Sequence, residues 1–172
     1  MKSKSGRKLK ELRTERGQSQ EQLSLDTFLS RESISKFETG ERRIQPELTN
    51  HYIKQHNDPM LALHAVSEYM GWHIDPLDGP AADTHRTSIH MKLQEEMQEA
   101  AEALEQCSIT MNPDYVASYE RENIKNTAME VADSIHASVL YLAEICKSYG
   151  ISWEDVWDEH QRKLQSRGYV KS

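Results

Sequence analysis

Residues 19–40 read SQEQLSLDTFLSRESISKFETG, and their spacing decides how the surrounding chain folds. Ser19 opens one helix that ends near Phe28. Ser30 is placed to cap a second, because a serine hydroxyl accepts from the amides that a helix N-terminus leaves open. Two short helices joined by a tight turn make helix-turn-helix spacing. Leu23, Ile34 and Phe37 are the apolar positions that turn inward, which leaves Arg31, Glu32, Ser33 and Lys36 on the outer face of the second helix. Side chains of these types read base edges in a major groove.

Upstream, Leu9 and Leu12 recur at helical spacing between Lys8 and Arg16, and Gly17 stops that helix. Lys2, Lys4, Arg7, Lys8 and Lys10 can approach phosphates, which supply affinity but no direct sequence information. A solvated basic tail is the other reading of these lysines. Downstream, Pro46 heads a helix reaching Gln55, and Asp58-Pro59 begins another with Leu61, Ala65 and Met70 as its apolar stripe. His51, His56 and His64 lie nearby, but no carboxylate or cysteine completes a metal-ligand set with them.

The net charge of -7 over 172 residues hides an asymmetry: residues 1–58 carry +3 and residues 59–172 carry -10. A basic, DNA-contacting module joined to an acidic one has this distribution. With 37% hydrophobic residues and few aromatics, the composition suits a helical protein of one or two small domains. No run approaches the roughly 20 apolar residues that span a bilayer, and MKSKSGRKLK lacks the apolar segment of a signal peptide. The expectation is a cytoplasmic chain with no membrane partner, in which Cys107 and Cys146 are buried free thiols.

Residues 72–85, WHIDPLDGPAADTH, break helical periodicity at Pro76, Gly79 and Pro80 and read as a linker. Trp72, Ile74 and Leu77 equally suit a loop packed on the second domain. His85 and His90 are poorly spaced for one helical face, which favours surface or packing roles. From Ser88 to Cys107 runs one long helix with Leu93, Met97, Ala101 and Leu104 as a stripe, and beside it stand Glu96 and Glu99. Glu130 and Asp133 repeat that i, i+3 spacing in a helix striped by Val131, Ile135, Val139 and Leu142. Packed antiparallel, the two helices would gather four carboxylates whose repulsion divalent cations neutralise, and all-oxygen ligation suits Mg²⁺ or Mn²⁺. Solvated faces of amphipathic helices explain the same spacing. Between them, Asn112-Pro113 opens a further helix with Tyr115, Val116 and Tyr119 as its packing face. After Gly150, Ser152 caps WEDVWDEHQRKL, with Asp155 at the capping-box position and Trp153 and Trp157 paired for packing.

The N-terminal third, LKELRTERGQSQEQL followed by SRESISKFETGERR, resembles the phage-repressor-like, xenobiotic-response-element family of helix-turn-helix regulators. The resemblance implies that Gln20 caps the second helix and contacts a phosphate, and that Arg13 and Glu38 form a buried ion pair. It further implies that Arg31, Glu32, Ser33 and Lys36 read bases of a double-stranded DNA operator while Arg42 and Arg43 touch its backbone. Two positions depart from the family pattern: Ser24 replaces the usual alanine, and Phe28 the usual glycine that tolerates positive φ.

The last half of the chain resembles the MazG-like, all-α nucleotide pyrophosphohydrolases, whose EExxE and ExxD signature is matched by EEMQE and EVAD. That resemblance implies Mg²⁺ on Glu96, Glu99, Glu130 and Asp133. The metals hold a triphosphate and activate a water, releasing pyrophosphate and leaving a nucleoside monophosphate. Lys163 and Arg167 in the tail, and Lys92 one turn before Glu96, are the phosphate-binding residues it suggests.

The chain is thus expected to be all-α: a helix-turn-helix domain of four to five helices over 1–71, a linker over 72–86, and a MazG-like helical bundle over 87–172. The expected function is a sequence-specific transcriptional regulator of phage or prophage type. It would assemble as a homodimer or homotetramer, because a two-fold pair doubles the base contacts of one short recognition helix on a palindromic site. The alternative is a Mg²⁺-dependent nucleoside triphosphate pyrophosphohydrolase, or a nucleotide-sensing regulator, with a DNA-binding head.

Overall fold

The first helix, α1 (Lys4–Glu15), starts where the sequence supplies a cap, since Ser3 Oγ accepts the Gly6 amide at 3.0 Å. A computed structural model describes residues 3–74, 76–77, 79, 82–109 and 112–171; Lys2 and Pro80, named above, lie outside them. Within that range the chain is all-α, with eight α-helices and no strand among the described residues. No helix there is long and apolar enough to cross a membrane.

Four more helices complete the N-terminal array: α2 (Gln20–Thr27), α3 (Arg31–Thr39), α4 (Pro46–His56) and α5 (Met60–Met70). Their inward positions form one core, in which Leu9, Leu12, Leu23, Ile34, Phe37 and Leu61 are almost wholly excluded from water. Burying each of these is worth about 1.5–3 kcal/mol, so this cluster holds the array together. Met70, expected in the α5 stripe, is exposed instead, because α5 ends there and Gly71 turns the chain at φ 67°.

Two close approaches set α1 in place. Glu68 of α5 reaches back over its start and accepts from the Ser5 amide at 3.0 Å, the Ser5 hydroxyl at 2.6 Å and the Ser3 hydroxyl at 2.9 Å. A carboxylate suits the positive end of a helix. Burial works against its charge, but the hydrogen bonds from Ser5 and Ser3 outweigh that and hold the Glu68 carboxyl below its ordinary range. Gly6 is the second approach: a Cβ added there would stand 2.3 Å from the Phe37 carbonyl oxygen of α3.

The turn between α2 and α3 carries the two departures noted above. Phe28 sits in the left-handed region at φ 55° and is 96% exposed, while Ser24 Oγ donates to the Leu29 carbonyl at 2.5 Å. Ser24 therefore ties the turn to α2 where an alanine could not. Phe28→Gly is expected to stabilise the fold by about 0.5–1 kcal/mol, read as a higher urea midpoint. Relief of a roughly 1–2 kcal/mol left-handed penalty exceeds the extra entropy that glycine loses on folding. A lower midpoint would mean that the phenyl ring contributes contacts worth more than its strain.

Contacts divide the chain into Met1–Pro76 together with Ile145–Ser172, and Leu77–Glu144. This grouping cuts across the expected boundary at 87, and the junction of α4 and α5 supplies the reason. Asn57, at φ 49°, donates to the Ile151 carbonyl at 2.7 Å and the Cys146 carbonyl at 3.2 Å, and accepts from the Trp153 amide at 2.8 Å. One side chain thus satisfies the end of α7 (Ser118–Tyr149) and the start of α8 (Trp153–Ser166). Beside it the fully buried Asp58 pairs with Arg16 at 3.3 Å and Lys147 at 3.8 Å, which meets the requirement that a buried charge be compensated. Ser152 caps α8 by accepting from the Asp155 amide, and Trp153 and Trp157 stack edge to face.

In the second unit, α6 (Arg86–Gln106) runs antiparallel to α7: Thr127 Oγ1 lies 3.5 Å from the Ala103 carbonyl, and the His90 ring 5.7 Å from that of Tyr141. The buried face of α6 is Glu96 and Ala100, whereas Met97 and Leu104 of the expected stripe are 56% and 57% exposed. Small residues explain the rotation, since Ala100, Ala103 and Thr127 let the two helices approach and turn the larger side chains outward. Ile135 on α7 is exposed as well. In place of the helix expected from Asn112-Pro113 there is a 3₁₀ turn, Pro113–Tyr115, and α7 begins only at Ser118. Tyr115 and Tyr119, expected to pack, are exposed. Both cysteines are free thiols; Cys146 is buried and Cys107 partly so.

Candidate functional site

On α3, Ser30 caps the helix by accepting from the Ser33 amide at 3.1 Å, and its hydroxyl lies 2.9 Å from that of Ser33. Ile34 and Phe37 bury the inner side, so Arg31 and Glu32 stand exposed on the opposite side of the first turn. Glu32 is engaged with Lys36 at 2.5 Å; that hydrogen bond, with the lysine's charge, holds the Glu32 carboxyl below its usual range. The two residues face solvent as one neutralised unit. After the Gly40 turn, the Arg42 amide donates to the Lys36 carbonyl, and the Arg43 guanidinium lies 5.6 Å from the centre of the Tyr69 ring. Tyr69 in turn donates its hydroxyl to the Ile44 carbonyl. Arg43 is therefore steadied on an aromatic face while keeping its fork in water.

Arg13 and Glu38 form a bidentate pair across α1 and α3, Nε to Oε1 at 2.5 Å and Nη2 to Oε2 at 3.2 Å. Arg13 also donates to the Gln18 carbonyl at 2.6 Å. The structure corrects the capping role expected of Gln20. Ser19 is the N-cap: its hydroxyl accepts from the Gln22 amide at 3.1 Å while the Gln22 side chain accepts from the Ser19 amide at 2.7 Å, a reciprocal capping box that leaves Gln20 no capping role. Gln20 is the first residue of the helix proper and donates its amide to Glu38 Oε2 at 2.9 Å.

In the second unit, Glu96, Glu130 and Asp133 bring one carboxylate oxygen each to within 4.8 Å of one another, and Glu96 is only 8% exposed. Glu99 does not join them and is exposed. Three residues further along a helix is about 60° away round the axis, and the α7-facing place above Glu96 belongs to Ala100. On α7, Glu130 is half-buried and Asp133 exposed, and both bring an oxygen to the Glu96 carboxylate. Lys92 lies beside the cluster, its Nζ 2.7 Å from Glu96 and 3.2 Å from Glu95.

A cavity of about 450 Å³ opens next to these carboxylates. Ile89, Ala137 and Leu140 form an apolar wall; Lys92, Glu96 and Asp133 line it, as do Asp83, Ser88 and His136. Asp83 accepts from the Ser88 hydroxyl at 2.6 Å and the His85 amide at 2.9 Å, and these bonds hold its carboxyl below the ordinary range. Asp83, Ser88 and His136 were not anticipated. The Asp-to-Ser spacing at the head of a long helix was the available signal for the first two. Lys163 and Arg167 lie at the end of α8, which groups with the N-terminal helices, and neither lines this cavity.

These features define a protein with a helix-turn-helix module and a helical hairpin bearing clustered carboxylates. A helix-turn-helix family model matches residues 9–48, and the model of the MazG nucleotide pyrophosphohydrolase domain matches residues 84–169, half of the chain. The chain belongs to the MazG nucleotide pyrophosphohydrolase domain family and carries ahead of that domain a helix-turn-helix of the kind found in DNA-binding regulators. No curated protein and no solved structure gives a significant match.

Proposed function

We propose that the protein is a sequence-specific, DNA-binding transcriptional regulator of phage or prophage type, reading a double-stranded operator through α3. The observation that carries this is the placement of Arg31 and Glu32, exposed on a first turn whose opposite face is locked by Ile34 and Phe37. Arg31, Glu32, Ser33 and Lys36 meet base edges, while Gln20, Arg42 and Arg43 meet the sugar-phosphate backbone and set the register. Arg13 and Glu38 brace α3 against α1. Self-association accompanies this reading: Met97, Leu104, Met129 and Ile135 leave apolar surface open on the hairpin, and a second copy, as homodimer or homotetramer, covers such surface while pairing two α3 helices. Its place of action is the cytoplasm, where the DNA is.

Arg31→Ala combined with Lys36→Ala is expected to weaken a gel shift on the gene's own upstream region by about tenfold to a hundredfold, with circular dichroism unchanged. An unaltered shift would remove α3 as the reading element.

A second reading rests on the convergence of Glu96, Glu130 and Asp133 beside a cavity of about 450 Å³: the hairpin is a Mg²⁺-dependent nucleoside triphosphate pyrophosphohydrolase, or a nucleotide sensor built on the same site. The donor set fits Mg²⁺, being all oxygen, clustered, and anchored by one buried carboxylate. When bound, Mg²⁺ supplies Lewis-acid polarisation of the phosphates and a water of lowered pKa. Glu96, Glu130 and Asp133 would hold it. The cavity volume falls within the roughly 300–1,000 Å³ of ligand sites, and its apolar wall at Ile89, Ala137 and Leu140 takes the base and sugar. Lys92 receives the phosphate charge.

A further inference from the structure

Lys92 pairs with Glu96 at 2.7 Å, and three features separate this contact from an ordinary surface pair. Glu96 is buried among the helix contacts and shares its cluster with Glu130 and Asp133. The order of the pair, lysine N-terminal to glutamate at i, i+4, is the weaker one for helix stabilisation, so the helix alone does not account for it. Lys92 also lines the cavity that Glu96 and Asp133 line, which puts its ammonium where carboxylates and ligand space meet.

Resting on the Mg²⁺ reading above, we propose that Lys92 is the resident counter-ion of the carboxylate cluster. It holds Glu96 when no divalent cation is bound, competes with that cation for the same oxygens, and passes to the phosphates of a nucleotide once the cation takes its place. The arrangement of charges favours such a device. Three carboxylates with oxygens within 4.8 Å of one another repel strongly in a partly desolvated site, and a single positive charge relieves part of that without filling a divalent position. Two consequences follow. The cation binds more weakly than to the bare carboxylates, because it must displace an ammonium. An anionic ligand in the cavity draws Lys92 from Glu96 and so tightens cation binding, and by linkage the cation tightens the anion.

The test measures Mn²⁺ binding to the full-length protein without nucleotide, reading free Mn²⁺ by electron paramagnetic resonance at fixed ionic strength. Lys92→Met and Lys92→Gln are expected to bind Mn²⁺ about tenfold more tightly than the parent chain, and Lys92→Arg, which keeps the charge, to stay within about twofold of it. Glu96→Gln should bind far less. Equal or weaker binding by the Met and Gln variants would overturn the counter-ion role while leaving the metal reading standing. A parent chain and variants that all fail to take up Mn²⁺ would overturn both.

Discussion

Gly6→Ala is expected to destabilise the N-terminal helices by about 2 kcal/mol, read as a lower urea midpoint. Two effects compete. Alanine is the better helix former by about 1 kcal/mol in a helix interior, which argues for stabilisation, although Gly6 lies in the first turn of α1, where that gain is smaller. Against it stands a Cβ 2.3 Å from the Phe37 carbonyl oxygen and 3.3 Å from that of Glu38. Both obstacles are backbone, so no rotamer change relieves them, and α3 must move. Glu38 would move with it, loosening the Arg13 pair and the Gln20 bond. Weaker DNA binding should therefore accompany the loss of stability, since α3 is the helix displaced. A midpoint at or above that of the parent chain would show that α1 and α3 part without cost.

Glu96→Gln is expected to reduce Mg²⁺-dependent pyrophosphate release from the preferred nucleoside triphosphate by at least about a hundredfold, with the fold intact because the side chain keeps its shape. Glu96 is the buried member of the cluster and the partner of Lys92, so its loss removes both a cation oxygen and the anchor of the lysine. Glu99→Gln should lose much less, because Glu99 stands outside the convergent group. Equal losses at the two positions would mean that the working site recruits Glu99. Absence of release by the parent chain across a full nucleotide panel would remove turnover and leave nucleotide sensing or assembly as the hairpin's role.

What was legible in the sequence was local. Ser19, Ser30, Gly17 and Pro46 mark helix ends through chemistry confined to a few neighbouring residues, and their elements formed as expected. The carboxylate pairs were visible as spacing, yet spacing does not say which helix face meets a neighbour. Small residues decided that, and the larger apolar stripe drew the expectation to the wrong side of α6. Gly6, Glu68 and Asn57 act on partners distant in sequence, through a backbone approach, a borrowed cap and a shared amide. None of these leaves a periodic trace. The cavity wall was hidden for the same reason, as it draws on residues ahead of α6 as well as on α6 and α7.

The Asn57 and Asp58 junction bears on the order in which the protein is made. Because Asn57 holds the Cys146 and Ile151 carbonyls and the Trp153 amide, residues 77–144 are, to the helix-turn-helix unit, an insertion between its fifth helix and its last. Synthesis runs from the N-terminus at about 5–20 residues per second, and domains generally fold as they emerge. The helices from α1 to α5 are translated before the hairpin, with Asn57 and Asp58 still unmet. They gain α8 only after the whole intervening carboxylate hairpin has been translated.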